Sequence, residues 1–256
     1  MDKPIPKLIH ISWVDKRILF TSKNPLAING IQNMKQINPE YVIQVSDDND
    51  VNDYIQSCIS NDDWLLIRDR HIVEKTDLWR LLKIFNEGGI YCDIDRYCNQ
   101  PFSTFIDPED RCILPTHYDI DFSQDIMIAS KGSPIHERAI ELNLERRRNG
   151  CDDVLTLGPI TYWHSITEFF LEKQLKRFLS GTDFVKLITK VHQSKGYKVF
   201  YERPVVDMVK HETILYKFNG CLKIGNGEAK EGLYRESGIQ HWTEAENVFG
   251  KKSFGD

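Results

Sequence analysis

Apolar residues recur along the chain with two periods, and the alternation between those periods outlines the elements. In Lys7 to Val14, KLIHISWV, the residues Leu8, His10 and Ser12 alternate with Ile9, Ile11 and Trp13 up to a polar DKR stop. A two-residue period of this kind predicts a first strand. A helix is expected over Asn24 to Ile37, and Tyr41 to Val45 reads as a second short strand. Behind it, SDDND supplies turn and N-cap chemistry for a helix from about Val51. The period becomes helical from Val73 to Asn86, where Leu78, Leu81, Leu82 and Phe85 make one apolar stripe. Gly88 and Gly89 end that helix, since glycine permits the left-handed cap that turns the chain into the next strand, Ile90 to Cys92.

Past Pro101 come two further strand candidates, Cys112 to Pro115 and Asp125 to Ser130, and a helix opened by Ser133 as N-cap with Pro134 at its first position. A mainly helical stretch is expected from Thr161 to Val191. Short apolar runs such as Tyr197 to Tyr201 then alternate with glycine turns, up to a tail, KKSFGD, that should fray. Strands alternating with helices predict an α/β sheet with ligands at the carboxyl ends of its strands. No internal repeat or low-complexity linker interrupts the pattern. One catalytic domain is expected over residues 1–250, with a donor-binding part at about 1–130, an acceptor-side and helical part at about 131–245, and a tail at 251–256.

Composition narrows the function by exclusion. A net charge of −5, with basic residues spread along the chain, predicts neither a nucleic-acid nor a bilayer partner. The densest basic run, Arg146 to Arg148, reads as a solvated helix end. The cysteines at positions 58, 92, 98, 112, 151 and 221 form no CxxC pair, so they read as reduced, mostly buried thiols. No signal-like start and no apolar stretch near the roughly 20 residues of a membrane span appear, so a soluble, cytoplasmic protein is expected, with peripheral membrane association left open. Oligomeric state is not written in these features.

The candidate chemistry lies in YCDID. In an extended segment Asp93 and Asp95 share a face, so two hard oxygen ligands could converge on one divalent cation that also binds phosphate oxygens. Such a cation stabilises a departing diphosphate as a Lewis acid. Taken alone, a DxD is usually a polar loop. Asp77 and Arg80, three apart on the preceding helix, read in isolation as a surface ion pair, and Trp13 as core. A second pair, Asp119 and Asp121 in HYDIDF, has the same spacing without the glycine lead, and reads as an acceptor-side loop or solvated carboxylates. Asp47 and Asp48 read as helix-cap residues, with contact to a nucleoside as the lesser alternative.

The wider context changes these readings. KTDLWRLLKIFNEGGIYCDIDRYCNQPF, residues 75 to 102, resembles the DxD-containing retaining glycosyltransferases: yeast-type Golgi α-1,6-mannosyltransferases, bacterial capsule and oligosaccharide transferases and, more distantly, the clostridial glucosylating toxins. That family pattern is an Asp and an Arg three apart on a helix, Gly-Gly, an apolar-aromatic strand and DxD. IPKLIHISW resembles the family's opening strand, LGPITYW (residues 157 to 163) its internal Gly-Pro motif, and QHW its terminal His-Trp motif, although the second Ser-Trp that often follows is missing.

The resemblance implies a glycosyltransferase A-type, Rossmann-like α/β fold, with a mixed, mostly parallel sheet flanked by helices. It implies transfer of a sugar, with retention, from a UDP- or GDP-sugar to a hydroxyl of a glycan or other acceptor, aided by Mn²⁺ or Mg²⁺. On this reading Asp93, Asp95 and His241 hold the metal. Asp77 binds donor-sugar hydroxyls, Arg80 contacts the sugar or diphosphate, Trp13 stacks on the base and Trp242 closes over the donor. Asp125, beside Gln124 before IMIASKGSP, would bind the acceptor or stabilise charge at the anomeric carbon. Two rivals remain: a two-metal nucleotidyltransferase drawing on Asp119 or Asp121, and a non-catalytic nucleotide-sugar binding module.

Overall fold

The computed structural model describes residues 4–98, 100–117, 121–122, 124–172, 181–201, 205–207, 212–215, 222–224 and 227–239. Its centre is a seven-stranded sheet, made of β1 (Leu8–Ser12), β2 (Val42–Ser46), β3 (Gly89–Cys92), β5 (Cys112–His117), β6 (Asp121–Phe122), β7 (Ile126–Ala129) and β8 (Tyr197–Tyr201). The order is β2-β1-β3-β7-β5-β6, and β8 also pairs with β5. β1 is parallel to β2 and to β3, and β8 is parallel to β5, whereas β7 is antiparallel to both β3 and β5 and β6 is antiparallel to β5. Hence β2, β1, β3, β5 and β8 run one way and β7 and β6 the other, a mixed and mostly parallel α/β sheet as expected. β4 (Arg96–Cys98) lies outside it, paired with β11 (Leu222–Ile224), and β9 (Val205–Asp207) pairs with β10 (Glu212–Leu215).

Side chains alternate across the strands and divide the core in two. On one face Tyr91, Cys112, Leu114, Met127 and Ala129 join apolar residues of α4 (Asp48–Cys58), α5 (Asn61–Ile67), α6 (Ile72–Glu87), α7 (Pro134–Arg148), α8 (Thr161–Leu171) and α9 (Gly181–Gln193). On the other, Ile9, Ile11, Ile90, Cys92, Ile113, Ile126 and Ile128 meet a run of short helical turns and α10 (Gly227–Glu236). Those turns are α1 (Ile18–Thr21), α2 (Pro25–Ala27), a π-helical turn at Ile28–Gln32 and α3 (Asn33–Ile37). The helix expected over residues 24–37 is therefore this broken series. α5 has no counterpart among the expected elements, because seven residues are too few for a helical period to declare itself.

α6 departs from the single-stripe expectation. Leu78, Trp79, Leu81, Leu82 and Ile84 are all buried, and so are Glu74, Asp77 and Arg80 between them. A helix packed on most sides buries its polar residues as well, and these survive by pairing. Glu74 accepts from Arg147 of α7 at 3.0 Å, which ties α6 to its neighbour. The basic run at the end of α7 is accordingly not a solvated end: Arg147 is enclosed with Glu74, Arg148 donates twice to Asp63, and Arg146 donates to the Thr156 carbonyl.

Gly88 ends α6 with φ 73° and ψ −172°. This is not the left-handed cap expected but a region that is essentially glycine's own. Gly89 follows at φ 103°, and a Cβ there would lie 2.6 Å from the Leu8 carbonyl oxygen. The pair thus lets β3 enter the sheet tight against β1. Of the cysteines, 92, 98 and 112 are buried, Cys151 is half-buried and Cys58 is exposed, and all five are free thiols. Among the described residues no helix is long and apolar enough to cross a membrane.

Candidate active site

The carboxyl ends of β1, β2 and β3 open into a cavity of about 420 Å³. Its walls include Trp13 after β1, Asp48 after β2, His71 and Thr76 at the start of α6, and Tyr91, Asp93 and Asp95 around the end of β3. Arg80 reaches it from α6, and Tyr234 and Ile239 cover it from α10 and beyond. Parallel strands that end together gather side chains distant in sequence at one rim.

β3 stops at Cys92, and the two aspartates do not continue it as an extended segment. They sit in a turn closed by a hydrogen bond from Arg96 N–H to the Asp93 carbonyl at 3.0 Å. Both still line the cavity, Asp95 buried and Asp93 half-buried. Tyr91, two residues earlier in β3, donates its hydroxyl to Asp93 Oδ1 at 2.5 Å. Burial pushes the Asp93 carboxyl above its usual range against the pull of Arg80, and the nearby Asp125 and Asp95 charges add to the rise. Among the described residues no group of three or more His, Cys, Asp and Glu side chains could hold a metal, and His241 and Trp242 lie outside the described residues.

Asp77 and Arg80 are a buried pair, not the surface pair that an isolated reading suggests. They are 4% and 7% exposed, and Arg80 Nη2 lies 3.0 Å from Asp77 Oδ1. Arg80 Nη1 donates to the Gln124 carbonyl at 2.9 Å and stands 3.4 Å from Asp93, while the guanidinium lies 4.6 Å from the centre of the Tyr91 ring. Burial lifts the Asp77 carboxyl to about 6, against the pull of Arg80. Asp77 itself does not line the cavity. Its Oδ1 accepts from the Gln124 side-chain amide at 2.8 Å, and Gly158 faces its other oxygen. A Cβ at Gly158 would lie 2.7 Å from Gln124 Nε2 and 2.9 Å from Asp77 Cγ, so this glycine makes room for the pair.

Gln124 and Asp125 brace the whole constellation. The Gln124 carbonyl holds Arg80 and its amide holds Asp77. The Asp125 carbonyl takes the Asp93 N–H at 2.8 Å, and its carboxylate pairs with Arg96, which is almost fully buried just after Asp95. The Asp125 carboxylate is thus engaged with Arg96 and is not among the residues lining the cavity, unlike the acceptor-facing group expected from sequence. Trp13 lines the cavity, its indole N–H donating to Ser237 Oγ at 2.9 Å and its ring meeting Tyr234 edge-on at 5.2 Å.

The other acidic pairs separate cleanly. Asp47 caps α4, accepting from Asn49 and Asp50 N–H in a reciprocal box with Asp50, while Asp48 faces the cavity. Asp121 lies in β6, three strand spacings from β3, or roughly 14 Å. Asp119 is outside the described residues. Tyr91, Gln124, His71 and Thr76 were not singled out from sequence as direct participants. Only Tyr91 carried a usable signal, its place on the strand two residues before Asp93.

The fold is shared with a solved structure. A solved structure titled "PaToxG Glycosyltransferase" aligns at 19% identity over 75% of this chain and 76% of that one, with a TM-score of 0.54. One titled "Structure of Transferase" aligns at 14% identity over 72% and 90%, with a TM-score of 0.44. No curated protein sequence matches the chain. Residues 26–113, from the second helical turn into the start of β5 and including Asp77, Arg80, Asp93 and Asp95, match the family described as "Glycosyltransferase sugar-binding region containing DXD motif", a match that supports a glycosyltransferase.

Proposed function

We propose that the chain transfers a sugar, with retention of configuration, from a UDP- or GDP-sugar to a hydroxyl acceptor such as a glycan, and that it requires Mn²⁺ or Mg²⁺. One observation carries the reading: Arg80, Asp93 and Asp95 all line a cavity that Trp13 lines as well. That suits a ligand with an aromatic base, a diphosphate and a sugar.

Asp93 and Asp95 offer the hard oxygen donors that Mg²⁺ and Mn²⁺ prefer, and such ions complete their shells with water and substrate phosphate. Burial, with the neighbouring Asp125 and Asp95 charges adding to it, raises the Asp93 carboxyl, and a bound cation would offset that rise. The ion's contribution would be Lewis-acid stabilisation of the leaving diphosphate. Arg80 is held by the Gln124 carbonyl, Asp77 and the Tyr91 face, so its fork is oriented before the donor arrives. Asp77 sits behind Arg80, and its contact with sugar hydroxyls requires Gln124 to give way. Retention, and a leaving diphosphate that helps deprotonate the acceptor, rest on the family resemblance. His241 and Trp242 keep their proposed roles as metal ligand and cover on the same ground. A nucleotidyltransferase drawing on Asp121 is disfavoured because two-metal chemistry needs ions about 4 Å apart, and β6 lies three strands from β3.

The test is a donor screen with Mn²⁺ and UDP-, GDP- and dTDP-sugars, reading release of nucleoside diphosphate. Slow hydrolysis of one donor, lost with EDTA and in Asp95→Ala, is expected. Silence across the panel together with no metal-dependent nucleotide binding would leave the non-catalytic module ahead.

A further inference from the structure

Two polar residues lining the cavity, Asp48 and His71, are left unused by the sugar-diphosphate chemistry. Asp47 is consumed by capping, but among the described residues no hydrogen bond reaches the half-buried Asp48 carboxylate, whose nearest electrostatic partners are Asp47 and Lys75. Burial and the neighbouring Asp47 charge make its ionised form costly, and Lys75 offsets this only in part while spending its ammonium on the Arg68 carbonyl. His71 accepts the Val73 N–H through Nδ1 at 3.3 Å, so its neutral ring carries the proton on Nε2. Burial lowers its basicity and favours that neutral form. The cavity that Trp13 lines therefore also offers a two-oxygen acceptor and a single N–H donor.

We infer that Asp48 is the residue that selects the donor's nucleobase, and that the base it selects is guanine, with His71 Nε2–H as the donor to O6. Only guanine presents two adjacent N–H groups, N1–H and N2–H, to match the two oxygens of a carboxylate. In uracil the N3–H is flanked by carbonyl oxygens that repel it. In adenine and cytosine the amino group stands beside a bare ring nitrogen, which a carboxylate also repels. A matched two-bond contact discriminates by about tenfold to a hundredfold, and unpaired partners widen the gap. This inference rests on the donor-site reading above and narrows its UDP- or GDP-sugar to GDP-sugar.

Calorimetric titration with Mn²⁺ and nucleoside diphosphates tests it. The wild-type chain should bind GDP at least about tenfold more tightly than UDP, ADP or CDP, and IDP, which lacks the 2-amino group, should lose much of that margin. Asp48→Asn should lose about tenfold for GDP and gain for XDP, because the new amide can donate to the xanthine 2-carbonyl. The GDP-to-IDP comparison on wild-type protein reads the same contact if that variant does not fold. Tightest binding of UDP, ADP or CDP would overturn the inference and leave the donor site standing. Equal affinity for GDP and IDP together with an unaffected Asp48→Asn would overturn it as well. Binding of none of these nucleotides would overturn both the donor site and this inference.

Discussion

At the scale of single residues, the site depends on a few side chains that hold others in place. Gly158 is the clearest case. Its missing Cβ leaves space for the Asp77 carboxylate and the Gln124 amide, and both are the movable ends of side chains rather than backbone. Gly158→Ala should therefore fold but displace the pair, and an ångström-scale displacement of that kind can cost about a hundredfold in rate. Donor turnover measured beside the melting temperature would separate that loss from unfolding. Asp77 leads to a prediction with a sign. Its carboxyl is lifted to about 6 by burial, so between its ordinary value of 3.8 and 6 the folded state holds more protons than the unfolded chain. Its contribution is fully present below pH 3.8 and is lost as pH rises through 6. Urea unfolding across pH 4 to 7 should show stability falling over that window, and Asp77→Asn should remove this part of the slope.

At the scale of elements, the starts of two secondary structures carry much of the geometry. α4 begins with a reciprocal capping box between Asp47 and Asp50, which sets where the helix starts and so where Asp48 stands. Asp47→Ala should cost about 1 kcal/mol in urea unfolding, the usual loss for a removed N-cap. β7 begins just after Gln124 and Asp125, and the brace they form joins α6, the DxD turn and β4. Asp125→Ala takes one carboxylate from the enclosed Arg96 guanidinium, which keeps its other interactions. With Asp125 itself partly exposed, the loss should be about 1–3 kcal/mol, below that of a fully buried pair broken from one side. A loss below about 1 kcal/mol would show that the brace carries little. The helix N-cap and the glycine pair after α6 were legible because cap and turn chemistry is local. α5 and the π-helical turn at Ile28–Gln32 were not, since short elements take their form from what they pack against.

At the scale of the whole molecule, two apolar cores on opposite faces of the sheet hold the framework, and the cavity lies at the strand ends between them. Removing metal should therefore leave the fold intact. A chelator alone should not shift the melting temperature. A nucleoside diphosphate with Mn²⁺ at a hundred times its dissociation constant adds about 2.7 kcal/mol. That should raise the melting temperature by about 5–10 °C in a chain of this size. Thermal scans with nucleotide, Mn²⁺ and EDTA in combination check both halves. α10 belongs to this scale too, since Ser237 and Tyr234, just over 220 residues after Trp13, fix that indole at the cavity wall.

The sequence by itself determined what depends on neighbours along the chain. The alternation in β1, the helical period of α6, the glycine exit and the DxD that follows β3 are local patterns, and local sterics and patterning are enough to produce them. Family resemblance extended these patterns to the identities of Asp77, Arg80, Asp93 and Asp95. Only the tertiary structure decided that Asp77 and Arg80 are enclosed, that Asp125 turns to Arg96, and that of two adjacent aspartates Asp47 caps a helix while Asp48 faces a cavity. Burial and charge pairing are set by segments 29 to 47 residues apart meeting near one rim, and no period within a single segment records which partner will arrive.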